Sequence, residues 1–286
     1  MEQIKTTVIV GKYKFEIKDN VLLLRGEIYC RNLKIGGNVS DCVNVSISYN
    51  NNQPISATIP HVFYDPECSI GVPLDRGEGS VAMIKALLNY IYKNIPTIRE
   101  ISFEDKSNIE CATDAEIEKG SRFRKKGTNV YPIPLYYFSI AFNGKTWYEQ
   151  KFNARQKDPN KHTAYKAKID ILLNSEPLKT KTTFLEFLQT AQPPTEIVSE
   201  LEGYYSRSAT FGDFFKSIPK IDRCRLVREW ISTFMSHHLK DVFENTGWII
   251  ELPIATKGGK RNTRKYYCPR GRIIHNKTYK DFGVDG

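Results

Sequence analysis

The chain contains no run of 18 or more apolar residues, so no membrane-spanning helix is expected. Nor does it open on a basic segment followed by an apolar one. "MEQIKTTVIVGKYKFEIKDN" alternates like a strand from its start, and no secretory signal is expected. Cysteine is sparse and scattered: Cys30, Cys42, Cys68, Cys111, Cys224 and Cys268 stand singly, without a CxxC. A zinc site needs clustered thiolates or imidazoles, so no metal is expected. The thiols read as reduced and mostly buried in an intracellular protein, which makes the sequons at Asn38, Asn44 and Asn276 chance matches. There is no P-loop, no dinucleotide fingerprint, no GxSxG nucleophile motif, no internal repeat and no low-complexity tract. His237 and His238 are adjacent on a predicted helix over 223–245. Adjacent side chains point about 100° apart there and cannot hold one metal together. His61 and His162 have no partner legible in the sequence.

What remains is a 286-residue chain, 40% hydrophobic and 26% charged, with 15 Phe and 16 Tyr to fill a core. Its net charge is +10, and the excess is local. Nine Lys or Arg fall between Lys257 and Lys280 with no Asp or Glu among them. Such a stretch attracts polyanions: nucleic acid, an anionic surface or an acidic protein. Tyr266, Tyr267 and Tyr279 are interleaved with these bases, and aromatics can stack on exposed nucleobases. Lys260, Arg261, Arg264, Lys265, Arg270 and Arg272 are therefore the expected nucleic-acid contacts, and "SRFRKK" (121–126) extends the patch if folding brings it near. The competing reading is a cationic hairpin with core tyrosines and solvated bases.

Residues 1–66 read as short β-branched and aromatic runs separated by turn residues, a meander of antiparallel strands. Val81, Ile84, Leu88, Ile91 and Ile95, widened by Leu87 and Tyr92, then recur at helical spacing, and "IREISF" (98–103) returns as a strand. Residues 67–103 are thus expected to run strand, Gly-rich turn, helix, strand, a βαβ-like crossover. "PLYYFSIAF" (134–142) reads as a strand and "KTWYEQKFNA" as a short helix or second strand. From about 155 the pattern turns helical, with capping boxes at Thr183/Glu186 and Thr210/Asp213. "GWIIELPI" and a hairpin over "RKYYCPRGRIIHN" close the chain. The expected class is α+β: residues 1–155 a mixed, largely antiparallel sheet domain, 156–250 helical, and 251–286 a basic C-terminal strand and hairpin.

"VPLDRGEGSVAMIKALLNYIYKNI" (72–95) carries the chemistry-bearing pattern. A helix N-terminus presents free N–H groups, glycines let backbone approach a phosphate, and an arginine adds a charge. The same residues equally suit a plain helix start, and Glu78 must then point away from any anion.

This segment resembles the acyl-CoA-binding motif of the GNAT superfamily of N-acetyltransferases: a basic or Gln residue, two residues, Gly, one residue, then Gly or Ala. Arg76 and Gly79 match, and Val81 stands at the last position. Asn108 falls near the family's Asn, and "KTWYEQKFNA" is similar to its aromatic-rich helix, which places Tyr148 or Trp147 where a general acid serves the departing thiolate. Mainly through "SIAFNGKTWYEQKFNA" (139–154), the whole chain also resembles uncharacterised proteins of large double-stranded DNA viruses. The resemblance implies a GNAT-like fold over 1–155. Acetyl-CoA would be the cofactor, with Arg76, Gly77, Gly79, Ser80, Val81 and Asn108 lining it, and an amine the acyl acceptor. Tyr148 would be the acid. Glu67 is the first choice of base, with Asp65, Glu104 and Asp105 open beside it. The alternative is an inactive viral structural or partner-binding protein that works through its basic terminus. The location expected in either case is intracellular: cytoplasmic, nuclear or virion-associated.

Overall fold

In the computed structural model, the residues described are 2–37, 41–111, 131–243 and 246–253. Five long strands come first: β1 (Glu2–Val10), β2 (Tyr13–Leu24), β3 (Glu27–Gly36), β4 (Asp41–Asn50) and β5 (Gln53–Val62). All are joined as antiparallel neighbours. Two hairpins turn through paired left-handed residues, Arg25-Gly26 and Asn51-Asn52, a turn whose hand matches the twist of the strands.

One side chain in two along these strands is apolar. Tyr13, Phe15 and Ile17, Leu33 and Ile35, Val43, Val45 and Ile47, and Ala57 and Ile59 make a single buried face. Helix α1 (Glu78–Asn94) covers it with Met83, Ile84, Leu87, Leu88 and Ile91, the stripe read from the sequence. Truncating one of these fully buried residues to Ala costs about 2–5 kcal/mol. Near the C-terminal end of α1, buried Asp19 takes a two-pronged ion pair from Arg31 and a 3.0 Å bond from the Tyr90 hydroxyl, so this buried charge is fully partnered.

Strand β6 (Glu100–Phe103) pairs parallel with β5, so β5, α1 and β6 form the expected crossover. The strand expected over 67–73 is absent. β5 ends at Val62, and a 3₁₀ turn over Pro66–Cys68 and irregular chain lead to the helix. A second sheet pairs β7 (Asn108–Cys111) with β8 (Tyr131–Pro134).

The segment read as a strand over 134–142 is instead helix α2 (Leu135–Asn143), closed by left-handed Gly144. Its aromatic run suggested a strand, yet Tyr137, Ile140 and Ala141 are buried together at helical spacing. α3 (Trp147–Phe152) follows, then β9 (Arg155–Gln156). The helices α4 (Pro159–Asn174), α5 (Glu176–Lys181), α6 (Phe184–Ala191), α7 (Thr195–Ser206) and α8 (Phe211–Ser217) come next. Both expected capping boxes, at Thr183/Glu186 and Thr210/Asp213, are formed. The single helix expected over 223–245 is two, α9 (Arg223–Val227) and α10 (Ile231–Phe243). Between them Trp230 is wholly buried among Phe187, Phe214, Phe215 and Phe234. Strand β10 (Trp248–Glu251) then inserts between β6 and β9, giving the order β1-β2-β3-β4-β5-β6-β10-β9.

Four cysteines are paired, correcting the expectation of reduced thiols. Cys42–Cys68 ties β4 to the 3₁₀ turn, and Cys111–Cys224 ties β7 to α9. Widely spaced cysteines give no sign in sequence of which ones the fold brings together. The stretch expected as a C-terminal hairpin, "SRFRKK" and the sequons at Asn38 and Asn276 lie outside the described residues.

Candidate functional site

The loop before α1 is held from both sides. The Tyr64 hydroxyl donates to the carbonyl of buried Leu74 at 2.9 Å, and Leu74 N–H donates to the Pro66 carbonyl at 2.8 Å. Asp75 accepts from Lys12 at 2.6 Å and from the Tyr13 hydroxyl at 2.7 Å, and the Lys12 hydrogen bond leads in holding its carboxyl below the usual range. Arg76 is exposed, its guanidinium 5.1 Å from the Tyr64 ring centre. Gly77 is the residue that starts α1, at φ +82°, a conformation that favours glycine, and it offers no side-chain cap. The first helical bond runs from Val81 N–H to the Gly77 carbonyl, so the N–H groups of Glu78, Gly79 and Ser80 fall outside the helical ladder.

Gly79 has a packing reason of its own. A Cβ there would sit 2.8 Å from Leu74 Cγ and 3.3 Å from Tyr13 Cζ. Ser80 and Val81 are half-buried, and Glu78 is exposed.

Because α1 runs back along the parallel strands it connects, its N-terminus lies at the same end of the sheet as the C-terminal ends of β5 and β6. Pairing between those strands consists of Thr58 with Ser102 and Ile59 with Phe103, after which they part. A second group of polar side chains follows β6 directly. Asp105 Oδ1 accepts from Ser107 N–H at 3.2 Å, while its Oδ2 is sealed from solvent with no hydrogen-bond partner among the described residues. Burial pushes this carboxyl up to about 6. The Tyr148 hydroxyl lies 3.2 Å from Ser107 Oγ, and its ring packs 4.6 Å from that of Phe103. Burial foremost, then the Asp105 charge, holds this phenol well above its usual range. Tyr136 is pushed up to about 12, again chiefly by burial.

Of the four carboxylates considered as bases, Asp105 has the protected, unsatisfied oxygen that a base needs. Glu67 is exposed on the 3₁₀ turn, Asp65 caps that turn through the Glu67 N–H, and Glu104 is exposed and paired with Lys106. Asn108 is exposed, its amide bonded to the Lys106 carbonyl at 3.3 Å. The contacts of the loop run to Lys12, Tyr13 and Tyr64, whereas those of Tyr148 run to Phe103, Ser107, Trp147 and Phe152. The two sets have no residue in common, so the loop and Tyr148 share a sheet end rather than a contact.

A further buried polar group escaped the sequence reading. Glu149 receives the Tyr165 hydroxyl, the Lys166 ammonium and the Thr146 N–H, so the carboxylate is buried but satisfied. Thr146-x-x-Glu149 is a capping box, and that spacing was its available signal. His238, beside exposed His237, is half-buried against Phe234. Burial first, then the charge of His237, lowers it to about 4.

Two clefts open on the helices. One of about 450 Å³ lies among α2, α4 and α8, lined by Lys145, Lys166, Asp170 and Lys216 among others. The other, of about 560 Å³, is lined by Lys168, Ser236, His237 and Asp241 among others. Neither touches the loop before α1.

Among the described residues no three His, Cys, Asp or Glu side chains converge as a metal site, and no helix is long and apolar enough to cross a membrane. Lys260, Arg261, Arg264, Lys265, Arg270 and Arg272 lie outside the described residues. No family model, no curated protein and no solved structure matches the chain.

Proposed function

We propose that the chain binds an acyl-CoA at the end of the sheet where β5 and β6 part, and transfers the acyl group to an amine. The observation that carries this reading is the coincidence of three features at that end: a parallel pair only two residue pairs long, an uncapped helix N-terminus behind Arg76, and the sealed carboxyl of Asp105. The open space beside Gly77, where a Cβ would meet nothing within 4 Å, supports the fit of a pyrophosphate. The N–H groups of Glu78, Gly79 and Ser80 would receive it, with Arg76 adding charge. Bound acyl-CoA supplies an activated thioester.

The chain's own residues supply proton transfer. Asp105 would be the proton acceptor for the amine, once ligand binding uncovers its sealed Oδ2. With its pKa near 6, Asp105 is mostly ionised at neutral pH and still basic enough to accept one. Tyr148, kept protonated by burial, would be the hydrogen-bonding acid toward the departing sulfur, and Ser107 Oγ, 3.2 Å away, would orient its hydroxyl.

Calorimetric titration with CoA and acetyl-CoA tests the reading. Micromolar binding is expected, weakened at least about tenfold by Arg76→Ala through loss of a charge-assisted contact. No heat at millimolar ligand would mean that the loop only starts a helix. The charge of residues 257–280 supports a second reading, a protein that holds nucleic acid or an acidic partner. Replacing Lys260, Arg261, Arg264 and Lys265 with Ala would then weaken salt-sensitive DNA or RNA binding and leave the CoA titration unchanged.

A further inference from the structure

Among the described residues strand β1 is the outer edge of the main sheet, and nothing in its own sequence or geometry protects it. Exposed edges are normally blunted by proline, bulges, brevity or several charges, because a free row of N–H and C=O groups invites another strand. The opposite edge, β9, is only two residues long. β1 runs nine residues in unbroken register with β2, without a bulge or a proline. Its charged residues are Glu2, at its first position, and Lys5, which already faces Glu16 of β2 at 3.9 Å. Two isoleucines stand out on it, Ile4 at 45% exposure and Ile9 at 70%. Ile4 lies opposite buried Asp19, so it continues the face that α1 covers elsewhere.

The strand is complementary to itself. Thr6 is the midpoint of 2–10, so antiparallel pairing of two copies about Thr6 engages all nine residues. It sets Ile4 opposite Val8, Lys5 opposite Thr7, and threonine opposite threonine, a favourable cross-strand pair. Pairing about Lys5 would instead bring two ammonium groups together. We propose that β1 is a dimerisation edge, through which a second copy of this chain adds its own β1 antiparallel about Thr6 and joins the two sheets into one. Main-chain hydrogen bonds supply the affinity and the Ile4–Val8 contacts the register.

The test follows from that register. Thr7 is exposed and lies opposite Glu16 within the chain, so Thr7→Lys gains a local partner and leaves the fold intact. In the dimer the introduced ammonium meets the partner's Lys5 twice. Sedimentation of the full chain should show a dimer at about micromolar concentrations, with Thr7→Lys raising the dissociation constant about tenfold. The double variant Lys5→Glu/Thr7→Lys should restore it. A monomer at about 100 µM wild-type chain would overturn the proposal and leave the edge to be covered by the chain's own residues or by another partner. A dimer indifferent to Thr7→Lys would overturn it equally, by placing the contact elsewhere.

Discussion

Replacing Asp105 with Asn is expected to stabilise the protein, by an amount that grows as pH rises from 3.8 to about 6. The carboxyl titrates at about 6 in the folded chain against a reference of 3.8. A raised carboxyl pKa means that the folded state binds the proton more tightly than the unfolded state. The contribution of Asp105 to stability is therefore greatest below pH 3.8, falls as pH rises through the window from 3.8 to about 6, and is level above it. At 1.36 kcal/mol per pH unit, that gap amounts to about 3 kcal/mol carried as an unfavourable buried charge near neutrality. Asn keeps the acceptor for Ser107 N–H and puts an amide where Oδ2 was. At low pH its unpaired donor costs about what the unpaired carboxylic hydroxyl costs, so the two proteins should match there. By about pH 8 the variant should lead by about 3 kcal/mol, or about 6–12 °C in Tm at this chain length. Paired thermal or urea unfolding from about pH 4 to about pH 8 reads this directly. A difference that does not change with pH, or an Asn variant less stable at the alkaline end, would refute the argument. Under the proposed function the same substitution removes the proton acceptor, a trade of activity for stability.

Gly79→Ala should destabilise by about 1 kcal/mol, because crowding Leu74 costs about 1–3 kcal/mol while alanine's helix propensity returns about 1. An unchanged Tm would show that Leu74 yields. Reducing the Cys42–Cys68 disulfide, or replacing Cys42 with Ser, should cost about 3.5 kcal/mol by the entropy of the chain segment it closes. Denaturant unfolding with and without reductant measures that figure, and no difference would mean that these thiols are unpaired in solution.

Much of the fold is written locally. The alternation of β1–β5, the three-and-four spacing of α1 and the Thr-x-x-Glu and Thr-x-x-Asp caps each lie within about a dozen residues, and each was legible. The errors occur where local chemistry is ambiguous or distant chain decides. "YYFSIAFNG" has the aromatic and β-branched make-up of a strand, and Asn143-Gly144 doubles as a hairpin turn or a helix end. Packing of Tyr137 and Ile140 into the core settles it as a helix. Val72-Pro73 looked like strand because apolar residues precede the glycines, yet only Leu74 there is buried. In the candidate site, Arg76 and Gly77 were legible because loop and helix start adjoin in sequence. Asp105 could not be told from Glu67, Asp65 or Glu104, since burial of one oxygen by residues far along the chain leaves no local trace. The disulfides were hidden for the same reason.

The position of β10 bears on how the molecule is assembled. Strands β1–β5 and α1 are contiguous in the chain and can condense as they are synthesised. The strand that closes the sheet is the last described element, slotting between β6 and β9 only after the ten described helices have been made. Until residue 251 has emerged, the Ile101 row of β6 has no antiparallel neighbour, and a nascent chain carries an open apolar edge beside a finished meander. Such late, non-local pairing is slow and exposes strand edges to other chains. During synthesis this protein is therefore most vulnerable to mispairing midway through its helices.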